Sequence, residues 1–281
     1  MRTIPPGLHF VATPIGAARD ITLRALDVLS GADVLVAEDT RTLRHLMEIH
    51  GIALGGRIVI SYHDHSGAGA LSRVLSLVAE GKSVAYASEA GTPLISDPGF
   101  ELARAAAAAG LPITAAPGPC AAICALTVSG LPSDRFLFAG FAPTAKGARR
   151  EFLAGLAAVP ATLILYESPK RLSALLADMV VVLGRDRQAA ICRELTKRYE
   201  EVTRGTLSDL AAGYSERDVK GELVVVVDRA APVVATEAAI HAALETAMQS
   251  MSVKDAATFV SQTLNVSRKI VYQIAVDRRQ E

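Results

Sequence analysis

The chain has 281 residues, 51% of them hydrophobic and 21% charged, with no tryptophan and equal numbers of acidic and basic side chains. That composition excludes disorder and supplies enough Ala, Val, Leu and Ile for two domains of ordinary size. Zero net charge excludes polyanion binding by bulk electrostatics, so any contact with nucleic acid has to come from local basic patches.

Strand-like and helix-like segments alternate through the first part of the chain. Strands are predicted at Leu8–Ala12, Val34–Ala37, Arg57–Ile60, Ser83–Ala87 and Ile113–Ala116, with helices at Thr22–Leu29, Thr40–Ile49, Ala70–Glu80 and Glu101–Ala109. Asp20 is positioned to cap the first helix and Gly110 to end the fourth. Such alternation implies crossover units and a mostly parallel sheet covered by helices on both faces. After Pro117-Gly118-Pro119 the rhythm changes. A helix at Cys120–Val128 leads to Phe136–Phe141 and a helix near Ala148–Ala158, followed by strands at Ala161–Tyr166, Ala189–Arg193, Glu200–Arg204 and Leu223–Asp228. Helices near Lys170–Leu183 and Thr206–Tyr214 lie among them. Strands adjacent in sequence predict antiparallel pairs and a mixed sheet. From Pro232 onward only helices are expected: Thr236–Met251, then Val253–Thr263 capped by Ser252 and Arg268–Val276 capped by Ser267. Two short capped helices around a tight turn, ending in Arg268, Lys269, Arg278 and Arg279, read either as a helix-turn-helix or as a plain helical brace. The fold class expected is therefore α/β, with two α/β domains at residues 1–117 and 118–231 and a helical appendage at 232–281.

The N-terminal residues Met1–Gly7 lack a long apolar core and are not read as a signal peptide. The uncharged stretch Ala105–Ser133 is cut by Gly110, Pro112, Pro117, Gly118, Pro119 and Gly130 into pieces too short to cross a bilayer. Cys120, Cys124 and Cys192 form neither a disulfide framework nor a zinc spacing, which points to a reducing, cytoplasmic setting.

The most informative segment is Ser88–Gly99, with two glycines and two prolines directly after a strand. Glycine lets a ligand approach the main chain and proline stiffens the loop around it. At the carboxyl end of a strand in an α/β sheet, such a loop is a small-molecule cradle. Val11-Ala12-Thr13-Pro14-Ile15-Gly16 closes the first strand with a similar bend. The second strand ends in Glu38-Asp39-Thr40-Arg41, where Asp39 either caps the next helix or joins Glu38 and Arg41 in a site. Tyr166-Glu167-Ser168-Pro169 and Arg193-Glu194-Leu195-Thr196-Lys197 are polar corners at later strand ends. Tyr62-His63-Asp64-His65 reads as a polar substrate-side loop rather than a metal site. Neither a Gly-x-Gly-x-x-Gly dinucleotide loop after the first strand nor a Gly-x-x-x-x-Gly-Lys phosphate loop is present.

Taken together, VATPIG (Val11–Gly16), DITLRAL (Asp20–Leu26), AEDTR (Ala37–Arg41), EAGTPLISDPG (Glu89–Gly99), PGPCAA (Pro117–Ala122), SGLPSDRF (Ser129–Phe136), YESPKR (Tyr166–Arg171), RELTK (Arg193–Lys197) and KGE (Lys220–Glu222) carry a resemblance. The chain resembles the bacterial family of small-subunit ribosomal RNA ribose 2′-O-methyltransferases I, within the tetrapyrrole-methylase (class III) superfamily. The resemblance implies two α/β domains with S-adenosyl-L-methionine held between them, a cytidine ribose in the decoding region of the small subunit as substrate, and a homodimer. Gly91-Thr92-Pro93 matches the donor-gripping loop of related methylases. By that match Pro14, Gly91, Thr92, Pro93, Leu94, Ile95, Cys120, Ala121 and Tyr166 are the expected cofactor-facing residues. One departure is Glu89, where the family usually has aspartate.

Methyl transfer to a hydroxyl needs alignment and a proton acceptor but no metal. The catalytic candidates are Asp39 first, with Arg41 orienting it, and then Glu38 and His63; Arg149, Arg150, Lys197 and Arg198 are candidate phosphate contacts. Two alternatives remain: a class III enzyme acting on a tetrapyrrole or other small molecule, and a non-catalytic nucleic-acid-binding protein.

Overall fold

The structure, a computed structural model, describes residues 3–63, 66–230, 236–264 and 266–277. Contacts within the chain divide it into two compact units, Met1–Ala230 and Ala231–Glu281.

In the first unit β1 (Gly7–Val11), β2 (Val34–Ala37), β3 (Ile58–Ser61), β4 (Ser83–Ala87) and β5 (Ile113–Ala116) form a sheet in the order β3-β2-β4-β1-β5. Every neighbouring pair is parallel. The crossovers contain α1 (Leu23–Gly31), α2 (Thr40–Ile49), α3 (Ala68–Ala79) and α4 (Phe100–Ala108). Because strand side chains alternate between faces, Leu8, Phe10, Val34, Val36, Val84 and Tyr86 pack with α3 and α4. Val11, Leu35, Ala37, Ala85 and Ala87 pack instead with α1 and α2. The edge strand β5 departs from the expected double coverage, since Ile113, Thr114 and Ala115 are exposed. Thr22, not Asp20, caps α1, its hydroxyl accepting from the Ala25 amide at 3.2 Å. The chain is still extended at Thr22, so the helix starts too late for Asp20 to reach its free amides. Gly110, at φ +65°, follows the last turn of α4 as predicted.

The second sheet follows α5 (Ala121–Ser129). Its strands are β6 (Phe136–Phe141), β7 (Thr162–Glu167), β8 (Gln188–Arg193), β9 (Glu201–Thr206) and β10 (Leu223–Val227), in the order β6-β7-β10-β8-β9. Only β6 and β7 run parallel; the other three pairs are antiparallel, giving the mixed sheet that the sequence predicts. The last strand, Leu-Val-Val-Val-Val, is wholly buried at the centre. α6 (Lys146–Leu156), α7 (Pro169–Leu183) and α8 (Leu207–Gly213) cover one face with a core that includes Leu153, Leu163, Leu165, Leu175 and Leu210. α5 covers the other, where Ala122 and Ala125 allow close approach to Ile164, Cys192, Val224 and Val226.

Glu201 on β9 pairs with Arg217 at 2.7 Å and Arg193 at 3.0 Å. The hydrogen bonds from Arg217, against some desolvation, bring its carboxyl down to about 2 from an ordinary 4.5. A depressed carboxylate stabilises the fold fully above its ordinary value and loses that contribution as pH falls through the lowered one. Urea midpoints measured across the acid range are therefore expected to fall less steeply below pH 4.5 in Glu201→Gln than in the wild type.

The second unit contains α9 (Glu237–Met248), α10 (Val253–Thr263) and α11 (Arg268–Asp277) around a core of Leu244, Ala256, Ala257, Val260, Val271 and Ala275. Thr236 and Ser252 cap the first two helices through their hydroxyls, the second as predicted. The Ser267 carbonyl accepts the first bonds of α11, and the Arg268 guanidinium donates to Thr258 at 2.9 Å, tying α11 to α10. Arg278 and Arg279 lie outside the described residues. Among the described residues no helix is long and apolar enough to cross a membrane.

Candidate active site

The site grows out of strand order. β1 lies between β4 and β5, so the loops after these three strands emerge side by side at the carboxyl edge, where open α/β sheets hold their ligands. Thr13 and Gly91 exchange backbone hydrogen bonds of 2.9 and 3.1 Å across an isolated bridge. Thr92 donates through its hydroxyl to the Pro119 carbonyl at 2.8 Å. Gly118 passes so close to β1 that a Cβ there would lie 2.9 Å from the Ala12 side chain. The second sheet meets these loops directly: the Ala17 amide donates to the Thr196 hydroxyl at 3.0 Å, and Ile15 is buried in the core beneath α5.

These loops enclose a cavity of about 350 Å³. Ile15, Gly91, Thr92 and Ile95 come from the first sheet's loops, and Cys120 and Ala121 from the start of α5. Tyr166, Glu167, Cys192, Leu195, Glu222 and Val224 come from the second sheet. Antiparallel pairing makes this possible, because the start of β10 lies at the same edge as the ends of β7 and β8. Tyr166 accepts the free Ala122 amide of α5 on its hydroxyl at 3.1 Å. Burial, with Cys120 close by, pushes its pKa far up, so it meets a ligand as a protonated hydrogen-bond donor. Burial also pushes the Cys192 thiol up to about 11, making it a neutral apolar wall rather than a nucleophile.

The charged residues of the lining, Asp97, Glu167 and Glu222, are all acidic. Glu222 and Glu194 both bind Lys197, at 2.8 and 2.9 Å, and Glu194 exchanges backbone-directed bonds with Glu222. Among the described residues the non-glycine residues with positive φ are Leu94, Ser96, Glu194 and Thr196. All four sit in the two loops that supply Ile95, Asp97 and Leu195 to the wall. A non-glycine residue in that region costs about 1–3 kcal/mol and persists where surroundings over-determine it, often at functional sites.

Six of the nine expected cofactor-facing residues line the cavity: Gly91, Thr92, Ile95, Cys120, Ala121 and Tyr166. Pro14 and Pro93 belong to the same loops without lining it, and Leu94 packs into the core under β4. Glu38, Asp39, Arg41 and His63 are not lining residues. β2 pairs with β4, so the loop after β2 emerges beside the Ser88–Gly99 loop, on the side away from β1. Asp39 does cap α2, accepting the Arg41 amide at 2.7 Å, and it also pairs with the Arg41 guanidinium at 3.0 Å. The hydrogen bond from that guanidinium holds its carboxyl below the usual range. His63 is exposed, its amide donating to Ser66; Asp64 and His65 lie outside the described residues. Arg149 is not free for phosphate, being buried against Asp178, and Lys197 is engaged by its two glutamates. Glu89 is exposed and off the wall. Sequence reasoning missed Asp97, Glu167, Cys192, Leu195 and Glu222, although four of these five lie in motifs quoted above; their positions at strand ends are the signal.

Residues 7–211, which run from β1 into α8, match the tetrapyrrole (corrin/porphyrin) methylases. The chain belongs to that family. Residues 234–279 match the family described as the RsmI C-terminal HTH domain. Curated relatives named ribosomal RNA small subunit methyltransferase I are similar over most of their length. The one from Mesorhizobium japonicum is 50% identical over 80% of this chain and 76% of its own. Those from Mycobacterium tuberculosis H37Rv and Escherichia coli O157:H7 are 43% and 39% identical, over 96% and 97% of this chain and 94% and 95% of theirs. Among solved structures, cobalt precorrin-4 methyltransferase superposes with a TM-score of 0.59 at 19% identity, covering 79% of this chain and 94% of that one. Uroporphyrin-III C-methyltransferase from Thermus thermophilus gives 0.55 at 23%, with the same coverage, and supports the fold.

Proposed function

We propose that this chain methylates small-subunit ribosomal RNA with S-adenosyl-L-methionine as donor, at the ribose 2′-hydroxyl of a cytidine in the decoding region. The observation that carries the reaction is the single cavity in which Gly91-Thr92, Cys120-Ala121 and Tyr166 meet. Its chemistry fits the donor. Gly91, at φ +86°, leaves main chain open where a Cβ would press on Ile15, and among the described residues the wall carries acidic but no basic side chains, as suits a cationic ligand. The relatives' names support ribosomal RNA as the acceptor.

When bound, S-adenosyl-L-methionine supplies a methyl group already activated on a sulfonium. The chain's task is alignment: Gly91 and Thr92 would hold the donor, Tyr166 would offer it a hydrogen bond, and Ile15, Ile95, Leu195 and Val224 would exclude water. Pro14, Pro93 and Leu94 hold the gripping loops in shape. The ribose oxygen would take the methyl as the sulfur–methyl bond breaks and a neutral thioether leaves, and its proton would pass to a base. Asp39, oriented by Arg41, is the base that the sequence favours, ahead of Glu38 and His63. Asp97 is favoured by position, because it lines the cavity and Asp39 does not. Asp39→Asn and Asp97→Asn separate the two: loss of the base is expected to lower turnover by about 10²–10⁴-fold. Affinity for S-adenosylhomocysteine, measured by calorimetry, stays within twofold or so for a variant that removes the base alone.

A homodimer acting on the assembled subunit in the cytoplasm completes the proposal. Exposed Ile113, Phe136 and Leu137 on the edge strands of the two sheets support self-association. The exposed Arg268 and Lys269 of α11 support an RNA contact by the helical unit. The deciding experiment is mass mapping of ribose methylation in small-subunit RNA from cells lacking this protein. A decoding-region cytidine whose 2′-O-methyl group persists in those cells overturns the assignment. Methyl transfer to tetrapyrroles in preference to subunits favours a small-molecule methylase instead.

A further inference from the structure

One ring on the cavity wall is positioned by more structure than donor binding requires. β6 pairs with β7 in register from Phe136 to Phe138 and again at Gly140 and Phe141, leaving Ala139 as an extra residue. In an unbroken strand, residues three apart point to opposite faces. The bulge cancels that alternation, so Phe138 and Phe141 both meet Tyr166, with centroids at 4.9 and 5.8 Å. Ala139 turns the other way, into the core beneath α6 and α7. Gly140 supplies the positive φ of +66° at the bulge. Directly beyond it the chain is clamped: Arg171 donates to the Ala142 carbonyl and pairs at 3.1 Å with Glu167, whose side chain is fully buried. The outcome is a phenyl ring that lines the cavity yet remains 52% exposed. Single exposed apolar side chains are ordinary. This one is distinguished by a bulge that turns it toward the site.

We propose that Phe141 is the stacking platform for the nucleobase of the target nucleotide. The inference rests on the RNA reading above and adds a subsite to it. To reach a donor held in a concave cavity, a nucleotide has to leave its own stack, and enzymes receive such bases on aromatic faces. Phe141 meets Tyr166 in an edge-to-face arrangement, lines the cavity and stays half exposed, so a base lying on its ring carries its ribose toward the cavity.

The test compares Phe141→Ala, Phe141→Leu and Phe141→Trp in the full chain. Loss of a base-stacking partner is expected to raise KM for small subunits by about 5- to 150-fold in the Ala and Leu variants. Subunit affinity, measured by filter binding with S-adenosylhomocysteine present, falls in parallel, and Trp restores both. Calorimetric affinity for S-adenosylhomocysteine alone stays at the wild-type value. A Leu variant with wild-type KM overturns the proposal, because bulk without a π face would then suffice. Weakened S-adenosylhomocysteine binding overturns it by giving the ring to the donor, and a change of sedimentation from dimer to monomer by giving it to an interface between copies. A wild-type protein that methylates no subunit RNA overturns the RNA reading first, and the subsite with it.

Discussion

Gly91→Val is expected to abolish measurable binding of S-adenosylhomocysteine, lowering affinity by a hundredfold or more, while the two sheets still assemble. The residue sits at φ +86°, where a β-branched side chain is strained whatever space surrounds it. Its Cβ would also lie 3.2 Å from Ile15 Cγ2 and 3.6 Å from the Pro119 carbonyl oxygen. Both neighbours are committed, Ile15 to the core under α5 and Pro119 to the Thr92 hydroxyl. Neither yields without disturbing the bridge between Thr13 and Gly91, so the damage falls on the wall that receives the donor. Left-handed backbone alone costs an L residue about 1–2 kcal/mol, which a protein of this size survives. Calorimetry reads the lost affinity and circular dichroism the retained fold. A valine variant that binds S-adenosylhomocysteine as tightly as wild type removes Gly91 from the site.

Asp178→Ala is expected to be the most destabilising single change away from the cavity. Asp178 is buried on α7, where it accepts from Arg149 Nε at 2.8 Å and Arg150 Nε at 2.6 Å, with Arg149 Nη2 paired to it at 2.6 Å. Arg149 is itself buried and also donates to the Thr144 carbonyl at 2.9 Å. Removing one partner of a buried ion pair leaves the other charge without compensation, at a cost of about 3–5 kcal/mol. Urea denaturation followed by circular dichroism measures that loss; a cost below about 1 kcal/mol, the range of surface pairs, would show that the pair is not buried in effect. Burial alone would raise the Asp178 pKa, but hydrogen bonds from Arg150 and Arg149 outweigh it and bring the carboxyl below its ordinary value. Its contribution is therefore complete at neutral pH and disappears as acid brings the pH through the lowered value. The alanine variant should lack that component of acid sensitivity. Arg149 is thus a structural cation, although its sequence context suggests a phosphate contact.

Most strands and helices were legible because their apolar runs are separated by glycine, proline and capping residues, and both gly–pro bends fell where the cradle stands. Strand order was not legible. Two carboxylates and an arginine follow β2 in the sequence, but nothing local says that β4 lies between β2 and β1, with the loop after β2 on the far side of the Gly91 loop from β1. Nor did local sequence reveal that β10 runs antiparallel to β7 and β8, which is what brings Glu222 and Val224 to the wall. Asp20 and Thr22 are both capping residues two positions apart, and only the backbone decides between them. The bulge in β6 left a trace, since a glycine inside a strand often marks one, but its effect on Phe141 depends on the partner strand.

The order β6-β7-β10-β8-β9 has a consequence for biosynthesis. β7 and β8 are not neighbours; the strand that joins them is the last of the sheet to leave the translating ribosome. Until Val227 has emerged, a nascent chain can complete its parallel half but has no floor for a methyl donor. Competence to bind therefore waits on the last strand of the sheet, whose Val224 completes the wall.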